Sequence, residues 1–406
     1  MTMVNVNRFS IAAVAGMIVG CSPLAARVIA AEGPIAAEGP QTSPAEAASV
    51  HDVVRRIRGH EFHPLGRDGS MTVDRQLGVD GVADINDRDG RVRLLAIADL
   101  VRRLPDHVAE VTAALRDENP DVRQVAAAAL GIGRQRDAVA PLQQLLSDDP
   151  SPIVRSQAAI SLGQMGSMAS LELLRKTRAD DRSRDVRHQC ELAADRIEKG
   201  RVASDAHRAA FERIGPDSFG TVAAREPAPD FELRDTDDRP WRLSEANRDR
   251  WVVLIWIFAD WCPVCHGEFR ELIETRAEFA EAGVEVATLE CHDRYRGRVM
   301  VGKELAPEYW FSDRPFRQRY EVGVWWPHLV DHAGAVAARY GAEPMSFAVH
   351  AEYVNRPTTV IIDPSGVVRF VYRGSYWGDR PSIAETLDMI RHERFDFEHP
   401  NRRKQP

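Results

Sequence analysis

The dipeptide Val-Arg recurs at Val122-Arg123, Val154-Arg155 and Val186-Arg187, a step of 32 residues, with a looser upstream copy at Val92-Arg93. Other columns keep the same step: Asp117, Asp149 and Asp181; Ala126, Ala158 and Cys190; Leu130, Leu162 and Ala194; Gly131 and Gly163. Each unit reads as a polar turn such as Asn119-Pro120-Asp121 or Ser151-Pro152, an Ala/Leu-rich helix, a Gly break, and a second apolar helix such as Ala140 to Leu146. A fixed period of paired helices means units that bury their faces against their neighbours, so an α-α solenoid is expected over about Asn86 to Gly200. In such a stack the Asp and Arg columns are expected to form ladders between adjacent repeats. Cys190, sharing a column with two alanines, is expected as a small core residue.

The charge balance is 53 Lys+Arg against 61 Asp+Glu, net −8, with only four lysines (Lys176, Lys199, Lys303 and Lys404) and no basic stripe. A nucleic-acid partner is therefore not expected. The length of 406 residues suggests two or three domains, and five cysteines are too few for a disulfide scaffold. Near the start, Arg8 precedes an apolar run from Phe9 to Gly20, shorter than the ~20 residues that span a bilayer, so residues 1–30 read as a signal peptide. Ile18-Val19-Gly20-Cys21 resembles a bacterial lipobox, which implies acylation of Cys21 and an exported, lipid-anchored, periplasm-facing protein. Cleavage after Val28-Ile29-Ala30 is the alternative, and it also exports the chain. Residues 31–85 are expected as a tether and an N-terminal helical segment, because Glu32 to Ser49 lacks bulky residues.

Past a stretch at 201–225 that reads as a linker, the pattern changes. Trp251 to Phe258 is a continuous apolar run of eight, as in a buried central strand. It is followed at once by Ala259-Asp260-Trp261-Cys262-Pro263-Val264-Cys265, then a helical pattern through Phe269, Leu272, Ile273 and Phe279 to Gly283. Val284 to Leu289 reads as a second strand, and Pro357 to Tyr372 as two strands around an Asp363-Pro-Ser-Gly366 turn. A last helix is expected from about Asp379, with Pro381 in its first turn. Two residues between cysteines put the first at a helix N-terminus and the second one turn in, close enough for a redox disulfide between Cys262 and Cys265. Free N–H groups and the helix dipole are expected to lower the Cys262 thiol below ~8.5, making Cys262 the attacking sulfur and Cys265 the resolving one.

A strand, a Trp-Cys-x-x-Cys turn, a helix and a later Pro-Thr before a hairpin resemble the thioredoxin fold, and within it the exported TlpA-like and AhpC/TSA-type redoxins. The resemblance covers about Glu226 to Arg394, and Trp325 to Gly341 is similar to the strand, Asp, Gly, helix, Tyr-Gly insertion of those proteins. The 32-residue units resemble HEAT-like repeats of the short kind seen in phycobilisome-lyase-type proteins. The fold class expected is thus multidomain: an N-terminal α-α superhelix at 86–200, a linker at 201–225, an α/β thioredoxin-like domain at 226–395 and a polar tail at 396–406. The resemblance implies a thiol–disulfide oxidoreductase acting on protein thiols and disulfides, with an electron-donor thiol protein and a protein partner on the repeats. It also implies that Pro357 faces the cysteines, that Trp261 shields one side, and that Pro263 and Thr358 are supporting residues.

Three alternatives stay open: a thiol peroxidase, a c-type haem protein and a redox-inactive scaffold. A peroxiredoxin Pro-x-x-x-Thr-x-x-Cys pattern would need Pro and Thr where Ile255 and Ala259 stand, and an Arg where Pro357 stands. Cys262-Pro-Val-Cys265-His266 satisfies Cys-x-x-Cys-His, but the flanking strand and helix belong to a thioredoxin domain. The position of thioredoxin's buried Asp holds Trp256, which leaves Glu290 as candidate proton relay for Cys265. Cys291 is read as packed rather than reactive; no cofactor or metal is expected, and His328 and His332 are not placed on one helical face. The extra residues between Gly341 and Pro357 have no role legible in the sequence.

Overall fold

A computed structural model describes residues 48–62, 79–304, 323–374 and 380–397, the side chains of 79–88, 347 and 348 excepted. The expected leader with Cys21, most of the expected tether and the end of the expected tail lie outside the described residues. No described helix is long and apolar enough to cross a membrane.

The repeat columns account for the first half of the chain. Helices α1 (Val50–Arg58), α2 (Val79–Ala113), α3 (Pro120–Ile132), α4 (Val139–Asp148), α5 (Pro152–Gln164), α6 (Leu171–Asp180), α7 (Arg184–Glu198) and α8 (Asp205–Arg213) follow in order. Pro120 and Pro152 open their helices, where a missing N–H costs nothing. Helices α3, α5 and α7 stack, and Ala126, Ala158 and Cys190 are all fully buried between them. Gly131 and Gly163 permit the close approach: a Cβ on Gly131 would stand 2.6 Å from the Ser161 side chain, and one on Gly163 3.0 Å from Ala193. The ladder is present as expected. Arg123 is bidentate to Asp149 (2.6 and 2.9 Å) and Arg155 to Asp181 (2.8 and 2.9 Å). Each Asp also accepts a backbone N–H two residues on, which ties the ladder to the turn.

The second half is a mixed sheet in the order β2-β1-β5-β4-β3-β8-β9. Its strands are β1 (Glu232–Asp235), β2 (Pro240–Arg242), β3 (Trp251–Trp256), β4 (Val284–Glu290), β5 (His328–Val330), β8 (Thr358–Ile362) and β9 (Val368–Arg373). The apolar run becomes the central strand: β3 is parallel to β4 and antiparallel to β8, and every residue of β3 after Trp251 is buried. Around the sheet lie α9 (Leu243–Ala246), α10 (Pro263–Glu274), α11 (Arg276–Glu281), α12 (Arg294–Met300), α13 (Ala335–Tyr340) and α14 (Ile383–His392). The expected helix to Gly283 breaks at Thr275 into α10 and α11. Pro381 lies outside α14 rather than in its first turn, because Ser382 caps the helix in a reciprocal box with Glu385.

The stretch at 201–225, expected as a linker, contains α8, which packs against α2, while Arg102 donates to the carbonyls of Glu212 and Ile214. The unassigned residues after Gly341 form a hairpin, β6 (Phe347–Val349) and β7 (Glu352–Val354), separate from the main sheet. This hairpin meets the solenoid. Gln189 of α7 donates to Glu352 (3.0 Å), His350 pairs with Asp185 (3.1 Å), and the Arg93 guanidinium lies 3.9 Å from the Tyr353 ring centroid. Arg93 belongs to the loose first copy of the Val-Arg column, and here it serves the hairpin instead of the ladder. Further along, Arg196 pairs with Asp293 at 2.5 Å and the Tyr295 hydroxyl donates to Asp195 at 2.9 Å.

Candidate active site

Strand β3 delivers the chain to the turn, and α10 starts inside it. Cys262 is the N-cap of α10, with Pro263 as first helical residue, and its Sγ accepts the Cys265 N–H at 3.4 Å. That is the helix-start geometry expected from the Cys-x-x-Cys spacing. Both sulfurs are fully buried in one apolar cluster with Phe258, Phe269 and Val354. The Sγ of Cys265 accepts the Phe258 N–H at 3.3 Å and faces Arg380 Nη2 at 3.4 Å. Arg380 is bidentate to Glu268 and donates to the Trp256 carbonyl at 2.5 Å.

The electrostatics differ from the expectation for Cys262. Burial and the neighbouring sulfur push its thiol well up. Against the same burial, the hydrogen bond from Cys262 and the charge of Arg380 bring the Cys265 thiol down. Of the two sulfurs, the inner one is therefore the one on which the surroundings favour negative charge. Sequence reasoning missed Arg380, which lies 115 residues from Cys265 and next to a segment without periodicity. Glu268, one turn beyond Cys265 on α10, was the available signal: a carboxylate on the buried side of a helix needs a cation.

The other expected site residues fall as follows. Pro357 is buried and immediately precedes β8; since Thr358 pairs with Trp256, it flanks the end of β3 that leads into the turn. Thr358 is fully buried and donates to the Arg356 carbonyl at 3.2 Å. Trp261 donates from Nε1 to Glu352 at 3.0 Å and meets the Phe258 ring edge-on. Glu290, expected as a proton relay, is committed elsewhere: its Oε1 accepts the His292 N–H at 3.0 Å and pairs with the His292 ring. Charge near Cys265 is handled by Arg380 and Glu268, because the end of β4 carries Glu290 toward His292. His266 is buried with Nε2 on the Asp260 carbonyl (2.7 Å), and burial lowers it to about 4, so the ring is occupied as a structural hydrogen-bonding group. Cys291 is nearly buried, and burial followed by Asp331 and Glu290 pushes its thiol well up, which matches a packed residue.

A second cluster lies behind the turn. Arg296 of α12 joins Asp260 and Glu352, donating to Glu352 at 2.6 and 3.1 Å and to Asp260 at 3.1 Å. His292 reaches Glu352 at 3.3 Å and, against burial, is raised to about 10 by Glu290 and Glu352.

A central strand, a buried dithiol at the next helix start and a Pro-Thr strand alongside define a thioredoxin-fold redoxin domain behind a helical solenoid. Comparison bears this out: residues 224–371 match the AhpC/TSA family, and residues 82–149 and 108–195 match HEAT repeats. The chain is 28% identical over 148 residues to a peroxiredoxin of Aquifex aeolicus, covering 36% of this chain and 58% of that protein. It is 26% identical over 170 residues to the thiol-disulfide oxidoreductase ResA of Geobacillus thermodenitrificans, covering 42% of this chain and 79% of that one. Among solved structures, the peroxidoxin BcpB of Mycobacterium tuberculosis is 23% identical with a TM-score of 0.33, covering 43% of this chain and 99% of that one. The chain thus carries an AhpC/TSA thioredoxin-like domain after HEAT repeats, and its relatives include both disulfide exchangers and peroxiredoxins.

Proposed function

We propose that the chain is a thiol–disulfide oxidoreductase whose reacting groups are Cys262 and Cys265. The observation that carries this reading is the geometry of the pair, with Cys262 at the start of α10 and Cys265 one turn in, backed by the Phe258 N–H and Arg380. In the reducing direction the Cys262 proton passes to the Cys265 sulfur, and the Cys262 thiolate attacks a substrate disulfide. One substrate S–S bond breaks, a mixed disulfide forms, and the first substrate thiolate leaves. Cys265 gives its proton to that departing substrate thiolate and attacks Cys262 Sγ; the Cys262–Cys265 disulfide forms and the second substrate sulfur leaves as a thiolate, two electrons having passed to the substrate. A donor dithiol protein returns the pair to the reduced state.

The relatives named as peroxiredoxins support a second reading, reduction of peroxides at Cys262. Ala259 and Ile255 stand where that chemistry uses Thr and Pro, so exchange is preferred. The test is Cys265→Ser in the full chain: the mixed disulfide should persist as reducible higher-mass bands that vanish when Cys262→Ser is added. Saturable hydrogen peroxide turnover dependent on Cys262, without such bands, would reverse the ranking. The location belongs to the same proposal. Acylation of Cys21 anchors the protein on the outer side of a bacterial inner membrane or on an outer membrane, and the repeats present it to a protein partner. Cys21→Ala should move it from the membrane to the soluble exported fraction, and mass spectrometry finding no lipid on the wild type would sink the anchor.

A further inference from the structure

The hairpin between Gly341 and Pro357 is not needed to complete the redoxin sheet, yet it touches the residue next to the reactive cysteine. Glu352, at the start of β7, is nearly buried and uses both oxygens: Oε2 accepts from Trp261 Nε1 and from Gln189 Nε2, each at 3.0 Å, and both take the Arg296 guanidinium. The same guanidinium holds Asp260. The two residues before Cys262 are therefore tied to one carboxylate, Trp261 directly and Asp260 through Arg296. That carboxylate is in turn tied to the solenoid by Gln189 of α7.

The hairpin's tip carries a second, independent sign. His350 and Ala351 both adopt positive φ, 53° and 51°, the two-residue turn that normally selects Asn-Gly. Non-glycine residues hold such a conformation only when their surroundings over-determine it. Here His350 is pinned between Asp185 on α7 and the face of the Trp261 region, its ring perpendicular to the indole at 4.8 Å. The Trp261 side chain is thus gripped by Phe258 from the segment after β3 and by His350 and Glu352 from the hairpin.

We infer that Glu352 is a positioning residue of the redox centre, holding the Asp260-Trp261-Cys262 turn from a hairpin that the solenoid itself holds through Gln189. The inference rests on the reading of Cys262 and Cys265 as the exchange pair. It makes the repeats part of the redox machinery: a movement of α7 changes the setting of the turn. Glu352 suits the task because it stays ionised. Against burial, Arg296 and His292 hold its carboxyl well below the usual range, so the contacts do not weaken near neutral pH.

The test uses the full chain and three variants, Glu352→Gln, Gln189→Ala and the two together. Two quantities are read: the rate with the small chromogenic disulfide 5,5′-dithiobis(2-nitrobenzoate), alongside kcat and KM for insulin, and the difference in tryptophan emission between reduced and oxidised protein. Trp261→Phe identifies the part of that difference due to Trp261. Glu352→Gln should lower the rate about tenfold and Gln189→Ala about threefold, in kcat with KM unchanged. The Trp261 emission difference should shrink in both, and the double variant should match Glu352→Gln alone because the two act in series. Wild-type rate and emission in folded Glu352→Gln, or fully additive effects, overturn the inference. If Glu352→Gln does not fold, Gln189→Ala decides: a wild-type rate and emission overturn the inference, and the threefold loss with altered emission supports it. If the wild type shows no Cys262-dependent exchange, the functional reading fails separately. Positioning is then judged by the Trp261 emission and by the iodoacetamide rate at Cys262, which should change in both variants; unchanged values overturn it.

Discussion

Arg380 is a fully ionised group buried against a sulfur, and its energetic position decides how the dithiol behaves. Burial disfavours the guanidinium charge, but Glu268 and the cysteine pair hold it in place. Removing Arg380 alone would strand Glu268 as an unpaired buried charge, a loss of about 3–5 kcal/mol. Replacing both partners, Arg380→Met with Glu268→Leu, removes that penalty and isolates the effect on the thiol. The sign follows from the two charges: Arg380 favours the Cys265 thiolate more strongly than Glu268 opposes it. Losing the pair should therefore raise the Cys265 thiol, so the pH midpoint for alkylation of the dithiol should move to higher pH in the folded double variant. An unmoved or lowered midpoint would show that Arg380 does not set the charge of the pair.

Among the elements, the solenoid helices are spaced by their glycines as much as by their apolar columns. The Gly131 Cα faces Ser161, whose hydroxyl donates to the Ala127 carbonyl at 2.8 Å, so α3 and α5 are bonded where they touch. Gly131→Ala should cost roughly 1–3 kcal/mol, as overpacking in a closed core does. Ser161→Gly should recover part of that loss, because it removes the very atoms the new methyl meets. Urea unfolding of the two single variants and the pair measures both; equal stability of Gly131→Ala and wild type would contradict the close contact. The ladder pairs Arg123–Asp149 and Arg155–Asp181 act between elements too, fixing the register of one turn on the next.

At the level of the molecule, solenoid and redoxin domain share polar contacts: the buried Arg196–Asp293 and Gln189–Glu352, and the partly buried Tyr295–Asp195 and Arg91–Glu343. A redoxin piece starting at Glu226 would expose one side of each and the hairpin's packing face with them. Its thermal midpoint should fall well below that of the domain in the full chain, and a separately produced solenoid piece, 48–225, should raise it on mixing. A midpoint unchanged by removal of the solenoid would mean that these contacts contribute little.

The sequence by itself determined the elements whose signals are local or periodic. A 32-residue step specifies stacked helices because each repeat can bury its face only on the next, and an eight-residue apolar run followed by Cys-Pro-Val-Cys specifies a strand delivering a dithiol to a helix start. Cys190 as core, the Asp–Arg ladder, the Pro-Thr strand and the Asp-Pro-Ser-Gly turn were legible for the same reason. Only the tertiary structure decided what joins distant segments. Arg380 meets Cys265 across 115 residues, Glu352 meets Trp261 across 91, and Gln189 meets Glu352 across 163. No periodicity reports such pairings: a buried charge takes whichever partner the packed chain brings within reach, and that partner is chosen by topology. The same cause moved Glu290 from the dithiol to His292 and turned an expected linker into a packed helix.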